Sequence, residues 1–218
     1  AANLPITVFL STAFIESKNP KALTWKQIRE MKRSGVLFEN HSHSHSHMPK
    51  YDRTHNENDI MVASEKFRKE LAYEPKLFAY PYGETSLEIS NSVKNMDFLA
   101  AFGQHSGVIS STEELFNIPR FAINEKFGNL KRFRLIINAL PLHISDFIPK
   151  ANIITHTNPP LIGFTLNNSA TLNTGIQCFT SHAGKSRVEL IGKNRIEVRI
   201  NSQFPPGRTR LNCTLRDK

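Results

Sequence analysis

The sequence predicts an α/β fold with a mainly parallel sheet, followed by a small antiparallel β domain. Three observations predict it. From Leu4 to about residue 145, short apolar runs alternate with segments of helical period. Such alternation builds a parallel sheet with helices packed outside it. After Asn158-Pro159-Pro160, a strong breaker, the helical period disappears and only short alternating runs remain. A length of 218 residues suits one domain with a small appendage. The expected domains are residues 1–157 and 158–218.

The elements follow in order. Ile6 to Leu10 is a continuous apolar run, the pattern of a strand buried on both faces. Thr24 and Gln27 have capping-box spacing, Ile28 and Met31 recur at helical spacing, and Gly35 closes that helix. Val36 to Phe38 resumes a strand. Asn58 can cap a second helix carrying Ile60, Ala63, Phe67 and Leu71. Leu77 to Tyr80 is a third strand, Leu87 to Met96 a third helix, and Phe98 to Phe102 a fourth strand. Arg132 to Leu140 has the pattern of an amphipathic helix. Five β-rich runs follow: 161–166, 176–180, 187–191, 195–200 and 210–215, with a hairpin turn at Gly192-Lys193-Asn194. They read as a small sandwich or sheet. Phe164, Phe179 and Phe204 are expected to fill its core, with sugar stacking the sharper alternative.

Composition excludes several classes. Gly (10) and Pro (12) are too few for a low-complexity chain. No run approaches the roughly 18 apolar residues of a membrane-spanning helix. Lys plus Arg number 28 against 19 Asp plus Glu, a net charge of +9. The cations are dispersed, so no nucleic-acid partner is expected. Cys178 and Cys213 both lie in the last fifth of the chain. A disulfide between two strands is expected, which implies an oxidising compartment such as a periplasm; two free thiols are the alternative. The chain opens Ala1-Ala2-Asn3 and runs straight into a strand, as though a front segment were missing.

The chemistry concentrates in Asn40-His41-Ser42-His43-Ser44-His45-Ser46-His47, which holds four of nine histidines and follows a strand. Loops at the carboxyl ends of parallel strands are where α/β enzymes build sites. Imidazole is the commonest metal-ligating side chain. On a helical turn, residues four apart share a face, so His41 with His45, or His43 with His47, could reach one Zn²⁺. In an extended segment all four would line one face. A solvated loop that picks up metal adventitiously is the plainer reading. Two imidazoles make half a site, and a third ligand must come from elsewhere.

The segment from Asn40 to His45 resembles the His-Ser/Thr-x-x-His metal motif of the polysaccharide deacetylase family, the NodB-homology domains. Phe78-Ala79-Tyr80-Pro81-Tyr82-Gly83 is similar to that family's Arg-Pro-Pro-Tyr-Gly segment. The likeness spans roughly residues 4 to 125, and 98 to 124 suggest a bacterial branch with a C-terminal β appendage. It implies a distorted β/α barrel and the His41/His45 register. It further implies Zn²⁺ or another divalent metal, and hydrolysis of N-acetyl groups on an amino-sugar polysaccharide. In such chemistry the metal polarises the acetamide carbonyl and acidifies water. The backbone N–H of Tyr82 faces the developing oxyanion. Pro81 and Arg120 are expected at the substrate, and His105, ranked above His143, as the acid that protonates the leaving amine. The implied location is the periplasm or the cell exterior.

The departures are specific. The family's Asp-Asp pair, which supplies the base and a metal ligand, occurs nowhere in these 218 residues. Ala79 stands where the family has Arg, and Arg120 is the substitute considered for it. Trp25 does not match the family's Trp, and no clean Leu-x-His occurs. A truncated front end is the expected explanation. The alternative is a catalytically inactive glycan-binding or structural module of the same fold.

Overall fold

A computed structural model describes residues 4–110, 114–167 and 175–215. The abrupt start at Ala1 lies outside them. Contacts divide the chain into two compact units, Ala1–Gln104 with Thr112–Arg120, and His105–Ser111 with Phe121–Lys218.

In the first unit, β1 (Thr7–Leu10), β2 (Leu37–Asn40), β3 (Leu77–Ala79) and β4 (Ala100–Phe102) form a parallel sheet in that order. Helices α1 (Thr12–Glu16), α2 (Trp25–Arg33), α3 (Arg53–Leu71) and α4 (Leu87–Lys94) connect them. Register pairs Val8 with Phe38, Asn40 with Phe78, and Phe78 with Ala101. A further parallel bridge joins Phe102 to Ile118. Because the strands are parallel, the segments after Leu10, Asn40, Ala79 and Phe102 all leave from one edge.

Local chemistry explains the helices. The Thr24 side chain accepts from the Gln27 N–H while Gln27 accepts from the Thr24 N–H at 2.8 Å. A cap of this kind stabilises a helix by about 1 kcal/mol. Gly35, at φ +93°, ends α2 in the left-handed region. Helix α3 begins earlier than the Asn58 signal suggested. Asp52 caps it by accepting from His55 N–H at 2.8 Å, and the buried Asn56 side chain donates to Met48 O at 3.0 Å. Ile60, Phe67 and Leu71 are buried along α3 and meet Phe78 and Phe38 of the sheet in two apolar clusters. Below the site, the buried Glu39 carboxylate accepts from Lys76 and Leu77 N–H at 2.8 and 2.7 Å and so pins the start of β3 to β2. Burial pushes the Glu39 carboxyl pKa up, against those two donors. Strand β1 is not buried on both faces as its apolar run implied. Only Leu10 is buried and Ile6 is 53% exposed, because β1 is the outer strand of the described sheet.

The second unit holds α5 (Leu130–Ile137), capped by Asn129 and without a buried residue, and six strands. These are β5 (Ile144–Ile148), β6 (Ile162–Leu166), β7 (Gln177–Thr180), β8 (Gly184–Ile191), β9 (Arg195–Arg199) and β10 (Leu211–Thr214). They make one antiparallel sheet in the order β10-β7-β8-β9-β6-β5, and residues of β6, β7 and β9 share one apolar cluster. The expected division at 157/158 also moves. Strand β5 precedes it yet pairs with β6, so the Asn158-Pro159-Pro160 breaker is a connection inside one sheet. The Asn158 side chain explains its place there: it accepts from Phe204 N–H at 2.7 Å and donates to Phe204 O at 2.9 Å. Phe164 is buried with Ile196 and Val198, Phe204 packs partly against that cluster, and Phe179 is exposed.

Cys178 and Cys213 face each other across β7 and β10 and are joined in a disulfide. With a sequence separation of 35 between them, the constraint on the unfolded chain is worth about 3–4 kcal/mol. Alkylation before reduction should therefore label neither cysteine, and after reduction both. The double variant C178A/C213A should unfold at lower denaturant by that margin; equal midpoints would contradict the assignment.

Candidate active site

The histidine segment is neither a helical turn nor extended. It is a loop folded back on itself by two residues in the left-handed region, Ser42 at φ 64° and His45 at φ 55°. For residues other than glycine this conformation costs roughly 1–2 kcal/mol each and must be imposed by surrounding bonds. Asn40 supplies most of them. Its buried side chain donates to Ser64 Oγ at 2.9 Å and Ile60 O at 3.3 Å on α3, and accepts from Ser42 N–H at 2.8 Å. Ser42 Oγ accepts from His45 N–H at 3.1 Å, and Asp59 of α3 accepts from Ser44 N–H at 3.0 Å. On the other side His41 N–H continues the ladder to Leu10 O, Ser11 Oγ donates to His41 O at 2.9 Å, and Ala13 N–H donates to His43 O at 3.0 Å.

This backbone sorts the four imidazoles. The rings of His41 and His45 lie with centroids 4.8 Å apart at 76°. His43 is turned away, its Nδ1 2.7 Å from Thr12 Oγ1, and His47 Nδ1 lies 2.7 Å from Glu84 Oε2. His41 Nδ1 is 2.6 Å from Ala79 O. A carbonyl only accepts, so Nδ1 carries the proton and the Nε2 lone pair is free to bind a cation. Burial lowers the His41 pKa to about 4; the bond to Ala79 opposes this, while His45 and Arg120 add to it. His41 is thus neutral at neutral pH, the state a ligand needs. The donor chemistry of two imidazoles fits a borderline-soft divalent ion such as Zn²⁺. Among the described residues no group of three or more His, Cys, Asp or Glu side chains is placed to share one ion.

The loop after β3 faces the same cluster. Tyr80 is fully buried, and its hydroxyl donates to Phe116 O at 2.8 Å. Pro81 is buried beside it, and Tyr82 sits at φ 57°, ψ 2°. The Tyr82 ring meets His45 at 4.6 Å and stacks flat on His47 at 4.1 Å and 6°. Gly83, at φ +68°, lies where an added Cβ would stand 2.3 Å from Gln104 Cβ. Arg120 is anchored through Nε to Gly103 O at 2.8 Å. Beside His41 and His45 opens a cleft of about 690 Å³, lined by Phe9, Phe14, Ile15, Leu23 and Lys21 among others. That volume lies within the range of small-molecule pockets.

The first unit therefore brings together His41, His45, Pro81 and Tyr82, with the Arg120 charge acting on His41. His105 and His143 are exposed residues of the second unit. Sequence reasoning missed the Ala79 carbonyl, which orients His41, and the pairing of His47 with Glu84. Any residue type supplies a carbonyl, so the first left no signal. The second joins positions 37 apart.

Comparison with known proteins places this fold among carbohydrate deacetylase structures. The family described as polysaccharide deacetylase matches residues 1–101, in keeping with the resemblance read from the sequence. The streptococcal deacetylase PplD from Streptococcus pyogenes, solved in complex with acetate, superposes with a TM-score of 0.58 at 18% identity, over 62% of this chain and 59% of that one. BC0361, a polysaccharide deacetylase from Bacillus cereus, gives 0.55 at 22% identity, over 62% and 42%. IcaB from Ammonifex degensii gives 0.52 at 16%, over 62% and 63%. These likenesses show the shared fold, and this chain spans about two-fifths to three-fifths of those proteins' lengths. No curated protein matches the chain. No helix among the described residues is long and apolar enough to cross a membrane.

Two substitutions test the scaffold. Asn40→Ala leaves Ser42 N–H and Ser64 Oγ without their partner and should destabilise the first unit by about 3 kcal/mol, read by urea unfolding. Gly83→Ala should cost about 2–3 kcal/mol through the positive φ and the contact with Gln104; an unchanged midpoint would contradict that packing.

Proposed function

We propose that the chain is the core of a metal-dependent N-deacetylase acting on an amino-sugar polysaccharide. The carrying observation is the paired arrangement of His41 and His45, with His41 held neutral and its Nδ1–H spent on Ala79 O, inside the segment that the deacetylase family matches. His41, through Nε2, and His45 would hold Zn²⁺ or another divalent ion. A bound divalent ion supplies Lewis-acid polarisation of an acetamide carbonyl and a more acidic water. Tyr82 is assigned to place its backbone N–H at the developing oxyanion. Pro81 and Arg120 are assigned to the substrate side, the guanidinium offering donors to sugar or acyl oxygens. The disulfide supports action in an oxidising place, the periplasm or the cell exterior.

The test is zinc titration together with acetate release from N-acetylglucosamine oligomers by the full-length gene product. We expect one tight ion per chain. His41→Ala and His45→Ala should each abolish tight binding and acetate release, whereas His43→Ala, whose ring is tied to Thr12, should keep the ion. Stoichiometric metal retained after both His41→Ala and His45→Ala would overturn the ligand assignment. Tight zinc without acetate release would leave an inactive glycan-binding module of the same fold.

A further inference from the structure

The deacetylase reading leaves one polar pair at the site unused. His47 Nδ1 lies 2.7 Å from Glu84 Oε2, joining the end of the histidine loop to the loop after β3. An ionised carboxylate only accepts, so Nδ1–H donates, and the bond sets the plane of the imidazole. That plane lies flat on the Tyr82 ring, with centroids 4.1 Å apart and 6° between planes. Glu84 follows Tyr82 by two residues, and its own N–H donates to Pro81 O at 3.1 Å. The result is a closed ring of contacts: Tyr82 to His47 by stacking, His47 to Glu84 by hydrogen bond, and Glu84 back to Tyr82 through Gly83. Tyr82 needs such restraint, because its backbone sits in the left-handed region and its ring also touches His45. Glu84 is the more buried partner, its side chain 19% exposed against 42% for His47.

We propose that His47 and Glu84 are a positioning pair that fixes Tyr82, both its ring against His45 and its main-chain N–H. The proposal rests on the deacetylase reading for what Tyr82 does, and not for the pair itself. His47 acts through Tyr82, so its loss spares the metal.

The experiment uses the full-length gene product and the variants His47→Ala, Glu84→Ala, Glu84→Gln and the double alanine. Gln keeps an acceptor oxygen for the same N–H. In His47→Ala and Glu84→Ala, kcat for acetate release should fall about tenfold to a hundredfold, the scale of a slightly misplaced group, with KM and zinc affinity little changed. Glu84→Gln should restore most of the rate, and the double variant should be no slower than either single one, as expected of groups acting as a unit. By NMR, the His47 Cε1–H resonance should be shifted upfield by the Tyr82 ring in wild type and Glu84→Gln, and lose that shift in Glu84→Ala. An active wild type with unchanged kcat in His47→Ala overturns the positioning role alone. A wild type that binds zinc but releases no acetate overturns the deacetylase reading and with it the catalytic use of the pair. Absence of the ring shift in wild type overturns the pair itself.

Discussion

The buried amide of Asn40 is the constraint on which the site depends. It ends β2, reaches α3 through Ser64 and Ile60, and turns back to hold Ser42 N–H. One side chain thus ties sheet, helix and loop together where water cannot compete. An unpaired polar group there would cost more than a bond gained at the surface. The left-handed turns at Ser42 and His45 are stable only because these bonds, with that of Asp59 to Ser44, oppose their local cost. The turns in turn decide which imidazoles meet. A loop of alternating serine and histidine has no intrinsic preference for one pair; the scaffold selects His41 and His45 by occupying His43 with Thr12 and His47 with Glu84.

Electrostatics follows from the same packing. His41 is shielded enough that its protonated form is disfavoured, and nearby positive charge from Arg120 acts in the same direction. A neutral imidazole whose Nδ1–H is spent on a carbonyl is prepared to donate its other nitrogen to a cation. The supporting groups are main-chain carbonyls and short polar side chains reached from four strand ends, which is how a parallel sheet assembles chemistry from distant positions.

The second unit solves a different problem. Its single sheet has a modest apolar cluster around Phe164, Ile196 and Val198, and two long-range ties reinforce it. The disulfide closes β7 onto β10, and Asn158 grips Phe204 by both main-chain groups. The segment that looks like a domain linker is therefore held inside a sheet. A breaker such as Asn-Pro-Pro marks the end of an element, and does not say whether the elements on either side pair with each other.

The sequence by itself determined the alternation of strands and helices, the α2 cap, the β-rich tail and the loop in which the chemistry gathers. These are written in local spacing: period, caps and motif order within a few residues. Tertiary structure alone decided the start of α3 at Asp52, the membership of β5 in the second sheet and the exposure of β1. It likewise decided the strand order of that sheet, the Ala79 carbonyl on His41 and the His47–Glu84 pair. Each of these depends on which distant group occupies a donor, an acceptor or a strand edge, and composition and periodicity carry no record of that occupancy.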